Sequence, residues 1–194
     1  MRMLPNMTVL CPGDAVEVRL ALRAALKHQG PAYIRLGKKN EPVVHKHFPD
    51  FVIGRGIVLR KGDDVCLLST GNLLPIAIQA AEEMESQSVS AQVVSLHTVK
   101  PLDEALLGEA FARFKLIATV EEHSLIGGLG GAVSEWIADR PRGRARLLRI
   151  AVPDQFIHDP GSQSRIRGHC GLTPESISQE ILHALAQKGG EDDE

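Results

Sequence analysis

The sequence predicts an α/β fold with three layers, a mostly parallel sheet carrying helices on both faces. Two observations lead there. Between residues 65 and 185, short apolar runs alternate with amphipathic stretches, the element order of βαβ units. Runs such as Val65-Cys-Leu-Leu-Ser69 and Leu116-Ile-Ala-Thr-Val120 are continuously apolar instead of alternating, as strands buried on both faces are.

Composition narrows the class. The 194 residues are 43% hydrophobic and 24% charged, close to globular averages and unlike a disordered or collagen-like chain. Aromatics are only 4%, so the core is expected from Leu, Ile, Val and Ala. No apolar run reaches the roughly 18 residues of a membrane span, and no apolar h-region follows Met1–Asn6 to make a secretory signal. The net charge of −2 gives no general attraction to nucleic acid or to an anionic membrane. Cys11, Cys66 and Cys170 are odd in number and far apart, which suits a reducing cytoplasm better than a disulfide framework.

Each element has a local cause. Thr8–Cys11 reads as a strand stopped by Pro12-Gly13. Asp14 then stands as a helix N-cap with Glu17 three residues on, a variant of the capping box. Val16, Leu20, Ala24 and Leu26 are expected to form that helix's buried stripe. The helix ends near Gly30-Pro31, and Ala32–Leu36 is a second strand. Residues 41–55 lack periodicity and read as a linker. Gly56–Arg60 and Val65–Ser69, flanking Lys61-Gly-Asp-Asp64, predict a hairpin. Leu74 to Met84 is a helix with Pro75 in its first turn, Ala91–Leu96 a strand, and Asp103 the cap of the next helix. Leu116–Val120 is a strand, Gly127–Gly131 a turn into the helix 132–139, and Arg146–Val152 a strand. Thr173-Pro174 opens the last helix, with the Pro at its first position. Residues 189–194 are an acidic tail. The unit 8–36 supplies two strands and one helix, too little for a core of its own.

No complete catalytic constellation is visible. Gly127-Gly-Leu-Gly-Gly131 follows a strand and opens a helix, where backbone N–H groups could cradle an anion. It departs from the dinucleotide fingerprint and has no Walker lysine, which favours a tight turn with close packing. Glu121-Glu122-His123 lies at a strand's carboxyl end, where open α/β sheets place ligands, yet no partner nucleophile accompanies it. His45 and His47 share one face of an extended segment, but further metal ligands are not assignable, and a surface linker is the better reading. Arg140, Arg142, Arg144, Arg146 and Arg149 lack the interleaved aromatics of a nucleic-acid platform. Asp154, His158, Gln163 and Arg165 occupy 153–172, long for a connector and equally an interface or a site edge. Lys38 and Lys39 follow the strand Ala32–Leu36, a position suited to a substrate phosphate or carboxylate.

Taken in order, several stretches resemble the transketolase family. Leu4–Asp14 and Gly30–Gly37 resemble the end of its pyrimidine-binding domain. Leu68-Ser-Thr-Gly71, Val94–Asp103, Thr119–His123, Gly127–Gly131 and Val152–Phe156 resemble its carboxy-terminal domain. The wording of Thr98–Asp103 is closer to split, short transketolases than to 1-deoxyxylulose-5-phosphate synthase or the β subunit of 2-oxo acid dehydrogenases. The resemblance implies residues 1–40 as the end of a truncated pyrimidine-binding domain, 41–55 as linker and 56–188 as carboxy-terminal domain. It further implies two-carbon ketol transfer between sugar phosphates, using thiamine diphosphate and Mg²⁺. The family's Gly-Asp-Gly…Asn motif and activating glutamate have no counterpart here, so the chain is expected to be inactive alone. Its expected partners are an amino-terminal transketolase section and a second copy in a homodimer, with no nucleic acid and no membrane. One residue carries over as substrate-phosphate-binding: Lys38, where the family has arginine. Glu121, Glu122 and the glycine turn match positions of structural or interface role, and no catalytic residue is expected. The alternatives are the matching part of a 2-oxo acid dehydrogenase β subunit, and a non-catalytic interaction module.

Overall fold

The computed structural model describes residues 1–38, 41–140, 145–158 and 161–187; Lys39, Arg142, Arg144 and the acidic tail lie outside them. The strands are β1 (Thr8–Leu10), β2 (Ala32–Ile34), β3 (Ile57–Arg60), β4 (Val65–Thr70), β5 (Ala91–Ser95), β6 (Thr98–Lys100), β7 (Leu116–Ser124) and β8 (Arg146–Val152). The helices are α1 (Ala15–Lys27), α2 (Leu74–Ser86), α3 (Glu104–Arg113), α4 (Leu129–Ala138), α5 (Gln163–His169) and α6 (Pro174–Ala186).

Five strands form the larger sheet in the order β3-β5-β4-β7-β8, parallel throughout except for the edge strand β3. Both faces are covered, as the uniformly apolar strands require. In β4, Val65 and Leu67 join α2 and α6 in one core, while Cys66 and Leu68 join α3 and α4 in the other. The predicted hairpin does not form: β3 pairs antiparallel with β5, and β5 separates it from β4. The reason lies at Gly62. A Cβ there would stand 2.2 Å from the carbonyl carbon of Ala91, so the turn crosses the end of β5 instead of folding β3 back on β4.

A second sheet, β2-β1-β6, contains the amino-terminal unit. β1 and β2 are parallel, and β1 pairs antiparallel with β6. Thus the two early strands borrow a neighbour from further along the chain. Further bonds follow at the same seam, Cys11 N–H to His97 O (2.7 Å) and Gly71 N–H to Cys11 O (2.9 Å).

The start of α1 is the most densely bonded point of the seam. Asp14 Oδ1 accepts from the Glu17 amide (2.9 Å), the expected cap. Glu17 does not return to the Asp14 amide but accepts from Gly13 N–H (2.6 Å). Asp14 Oδ2 accepts from the amides of Val44 (3.0 Å) and His45 (3.2 Å) and lies 3.0 Å from His45 Nδ1. His45 Nε2 faces Glu17 Oε1 at 3.4 Å. His45 is therefore buried, contrary to its expected place on a surface linker, while His47 is exposed. A buried imidazole needs polar partners for its ring nitrogens, and the start of α1 supplies Asp14 for one and Glu17 for the other. Residues downstream are also tied down: Phe51 stacks on His97 at 3.8 Å, and Gly54 N–H donates to Thr98 Oγ1 (3.1 Å). The buried stripe of α1 differs from the expected one as well. Glu17 and Ala21 are buried, whereas Leu26 is 88% exposed.

These groups set the pH dependence of stability. Burial opposes a charged His45, but its bond to Asp14 and the nearby Glu17 charge outweigh this and raise its pKa. Its contribution is complete below about pH 6.5 and is lost as pH rises through the raised folded value. Glu17, pushed up by burial, acts in the same direction. For Asp14, burial is outweighed by its hydrogen bonds from His45, Glu17 and Val44, which hold it at about 2. Its contribution fades as pH falls from about 3.9. His45→Gln, which leaves the carboxylates without their cation, is expected to cost about 3 kcal/mol near pH 6. The loss shrinks at pH 8.5, as urea melts at the two pH values will register.

Candidate functional site

In the larger sheet α2 and α3 leave toward opposite faces, so the winding reverses between β4 and β7. Open α/β sheets hold their ligand crevice at that point, beyond the strands' carboxyl ends. Here the crevice is bordered by Thr70-Gly71-Asn72 at the end of β4 and by Glu121-Glu122-His123 on β7. Its other wall is the small sheet, through Cys11, Tyr33 and Arg35. The cavity holds about 140 Å³. A neighbouring one of about 200 Å³ shares Cys11, Arg35, Asn72 and Glu122 and is bordered by Lys38 and Gln163. Gly71 makes the bend after β4 with φ +63°, a conformation that favours glycine.

The glycine turn does receive an anion, and the anion is internal. Glu121 Oε2 accepts from the Leu129 amide and Oε1 from the Gly130 amide, both at 2.7 Å. The carboxylate thus occupies the α4 N-terminus, where free N–H groups and the helix dipole favour negative charge. Gly128 has to be glycine here, because a Cβ would fall 2.0 Å from Glu121 Oε2. Burial still raises the Glu121 pKa against those two N–H groups.

Glu122 has a different task. Its carboxylate accepts from Arg167 (2.7 Å) and Gln163 (2.9 Å), which fastens α5 over the crevice. Burial is outweighed by these bonds, and its pKa is lowered. The Glu122 carbonyl accepts from Arg35 (2.9 Å), joining the strand end after β2 to the large sheet. Cys11 is no nucleophile at neutral pH, since burial lifts its thiol to about 11. Both glutamates are thus committed to contacts within the chain. Arg35 and Lys38 bring a pair of cations to its outer rim, fit to orient an anionic substituent.

The structure thus gathers Lys38, Glu121, Glu122, His123 and Gln163, and leaves Asp154 and His158 exposed elsewhere. Arg140 stacks on Trp136 at 4.3 Å and pairs with Glu104. Sequence reasoning misses Arg35, Asn72 and Cys11. Arg35 carries a visible signal, a lone charge beside the apolar run Ala32–Ile34. It also misses α5, inside the segment 153–172, although Ser162 caps that helix.

Fold and crevice define the class: a doubly wound α/β domain whose switch-point crevice is closed by a small, mixed second sheet. Residues 54–177 match the family model "Transketolase, C-terminal domain", and residues 1–43 match "Transketolase, pyrimidine binding domain". The chain belongs to the transketolase family. It is 33% identical, over 97% of its length, to a Methanocaldococcus jannaschii protein whose name makes it a transketolase C-terminal section. It is 35% identical over 96% to 1-deoxy-D-xylulose-5-phosphate synthase of Vibrio vulnificus. It spans 58% of the first relative and 29% of the second. A solved structure described as a split gene transketolase, inactive beta4 tetramer, superposes with TM-score 0.86 at 34% identity. That likeness covers 97% of this chain and 60% of the other. A Pichia stipitis transketolase mutant shares the fold, with TM-score 0.71 at 22% identity over 98% of this chain and 27% of its own.

Two glycine substitutions separate the internal anion from ordinary helix propensity. Gly128→Ala is expected to displace the Glu121 carboxylate and cost about 3 kcal/mol. Gly108→Ala at an exposed position of α3, where a Cβ meets nothing within 4 Å, is expected to add about 0.5–1 kcal/mol. Denaturant melts of both variants test the contrast.

Proposed function

We propose that this chain is the carboxy-terminal section of a transketolase-type enzyme transferring two-carbon ketol units between sugar phosphates. In this reading residues 1–40 end a pyrimidine-binding domain, 41–55 link it onward, and 56–188 form the carboxy-terminal domain. The carrying observation is the seam. Residues from both matched domains, Arg35 and Lys38 against Asn72 and Glu122, meet at one crevice at the sheet's switch point.

The reading assigns thiamine diphosphate and Mg²⁺ to an amino-terminal section acting as partner. Among the described residues no three His, Cys, Asp or Glu side chains gather to hold a metal ion. The reading assigns no chemical step to the residues here. Lys38 contacts the substrate phosphate as a point charge, without the two-pronged geometry of arginine. The chain pairs with a second copy and is inactive alone, and the split gene relative described as an inactive beta4 tetramer supports that. No described helix is long and apolar enough to cross a membrane; the three free cysteines support a cytoplasmic location.

Calorimetric titration of thiamine diphosphate with Mg²⁺ tests the division of labour. Heat of binding is expected only when this chain is mixed with an amino-terminal transketolase section. Binding to the chain alone contradicts the placement, and no binding in either case contradicts the enzyme reading. In the active mixture Lys38→Ala is expected to raise KM for a sugar phosphate about tenfold, the loss of one charge-assisted bond. Steady-state kinetics with and without a phosphate on the substrate check this.

A further inference from the structure

The cavity of about 200 Å³ has two chemically different walls. Arg35 and Lys38 bring cations to it from the amino-terminal unit, while Asn72, Glu122 and Gln163 border it from the larger domain. The carboxylate of the second wall is already engaged. Glu122 Oε1 accepts from Gln163 Nε2 at 2.9 Å. Its Oε2 accepts from the same nitrogen at 3.1 Å and from Arg167 at 2.7 Å. The Asn72 side chain hydrogen-bonds this carboxylate as well.

That engagement fixes which end of each amide meets Glu122. An ionised carboxylate only accepts, so Asn72 and Gln163 approach it with their NH₂ groups. Asn72 Oδ1 and Gln163 Oε1 are thereby turned away from Glu122, in side chains that line the cavity. Amide oxygens accept hydrogen bonds and cannot donate them. The wall opposite the cations therefore suits hydroxyl donors and repels the oxygens of an anion. Glu122 stands behind this wall as a positioning residue, holding both amides by their nitrogens. Its own carbonyl accepts from Arg35 at 2.9 Å, so the acceptor wall and one of the cations are tied to a single residue. A ligand that matches both walls has an anionic group at one end and a hydroxyl close behind it.

We infer that Asn72 and Gln163 are specificity residues, whose amide oxygens accept the hydroxyl nearest the phosphate of a sugar phosphate held by Arg35 and Lys38. This rests on the reading above and adds what the carboxy-terminal domain contributes to substrate choice. Inorganic phosphate satisfies the cations alone. A 2-oxo acid brings an anionic carboxylate to the same cations but has no hydroxyl. It covers the two amide oxygens without pairing them, a cost that discriminates against it. The two walls together thus favour polyol phosphates over 2-oxo acids, and with them the transketolase-type reading over the 2-oxo acid dehydrogenase one.

The test is steady-state kinetics of the full chain mixed with the amino-terminal section, with D-erythrose 4-phosphate and its 3-deoxy analogue as acceptors. The analogue lacks only the hydroxyl beside the phosphate-bearing carbon. In the unaltered mixture kcat/KM is expected to favour the hydroxylated acceptor about tenfold, the effect of leaving one acceptor unpaired. Gln163→Met, which keeps the length of the side chain, is expected to narrow that preference to about threefold. The change falls on KM for the hydroxylated acceptor, with kcat retained. Gln163→Met with Asn72→Ala is expected to abolish the preference. Both acceptors are measured on one preparation, so a partly unfolded variant lowers both rates and leaves their ratio readable. Should Gln163→Met fail to fold, Gln163→Asn, which keeps the amide and shortens its reach, carries the same expectation. Equal slowing of both acceptors by Gln163→Met makes Gln163 a fastener of α5 only and overturns the assignment, while the transketolase-type reading stands. A preference absent from the unaltered mixture, or unchanged in the variants, does the same. No turnover of either acceptor by the unaltered mixture overturns that reading and the assignment with it.

Discussion

The buried carboxylate of Asp14 ties together two stretches that otherwise have little reason to stay in register. It closes the first turn of α1, receives the backbone of Val44 and His45, and lies against the His45 imidazole. A buried charge is costly when its partners are missing, so each stretch is held by the need of the other. The constraint matters because residues 8–34 have two strands and one helix, and they gain a third strand only by pairing β1 with β6. Asp14 and that pairing fasten the unit at opposite ends. Between them Cys11 and Arg35 are brought to the carboxyl ends of the large sheet, and the crevice is what this junction encloses.

A second carboxylate, Glu121, shows how the crevice acquires its character. Helix α4 begins with N–H groups pointing at the switch point, the usual place for a ligand's anion. The protein fills it with its own strand end. Arg35 and Lys38 stand farther out, at the rim of the neighbouring cavity. Burial, hydrogen bonding and ion pairing consume the remaining acids and the thiol. The result is a carboxylate-filled crevice where residues from the chain's two matched transketolase-family domains meet.

Much of this is legible in the residues, wherever the determining interactions are local. The caps Asp14 and Thr173, the Pro at the start of α6 and the apolar strands all act within a few residues, and each element stands close to its expected place. Differences arise where distant chain decides. Lys61–Asp64 has good turn chemistry, yet the close approach of Gly62 to Ala91 decides against a hairpin. His45 sits in a stretch without periodicity, and only the distant Asp14 and Glu17 explain its burial. The α1 stripe departs from expectation because the helix has two apolar faces, and periodicity alone does not say which one β1 and β2 will cover. The glycine turn is the close-packed turn its residues suggest, but its internal anion becomes visible only once Glu121 is seen to face it.

The central claim is that the amino-terminal unit belongs to the same cooperative structure as the large sheet. Native-state hydrogen exchange on the full chain at pH 6 tests it directly, by comparing opening free energies across the seam. The account predicts that the slowest amides of β1 and α1 open together with those of β4 and β7, in one global transition. Separate opening of β1 and α1 at lower free energy, with β4 and β7 still protected, would contradict it.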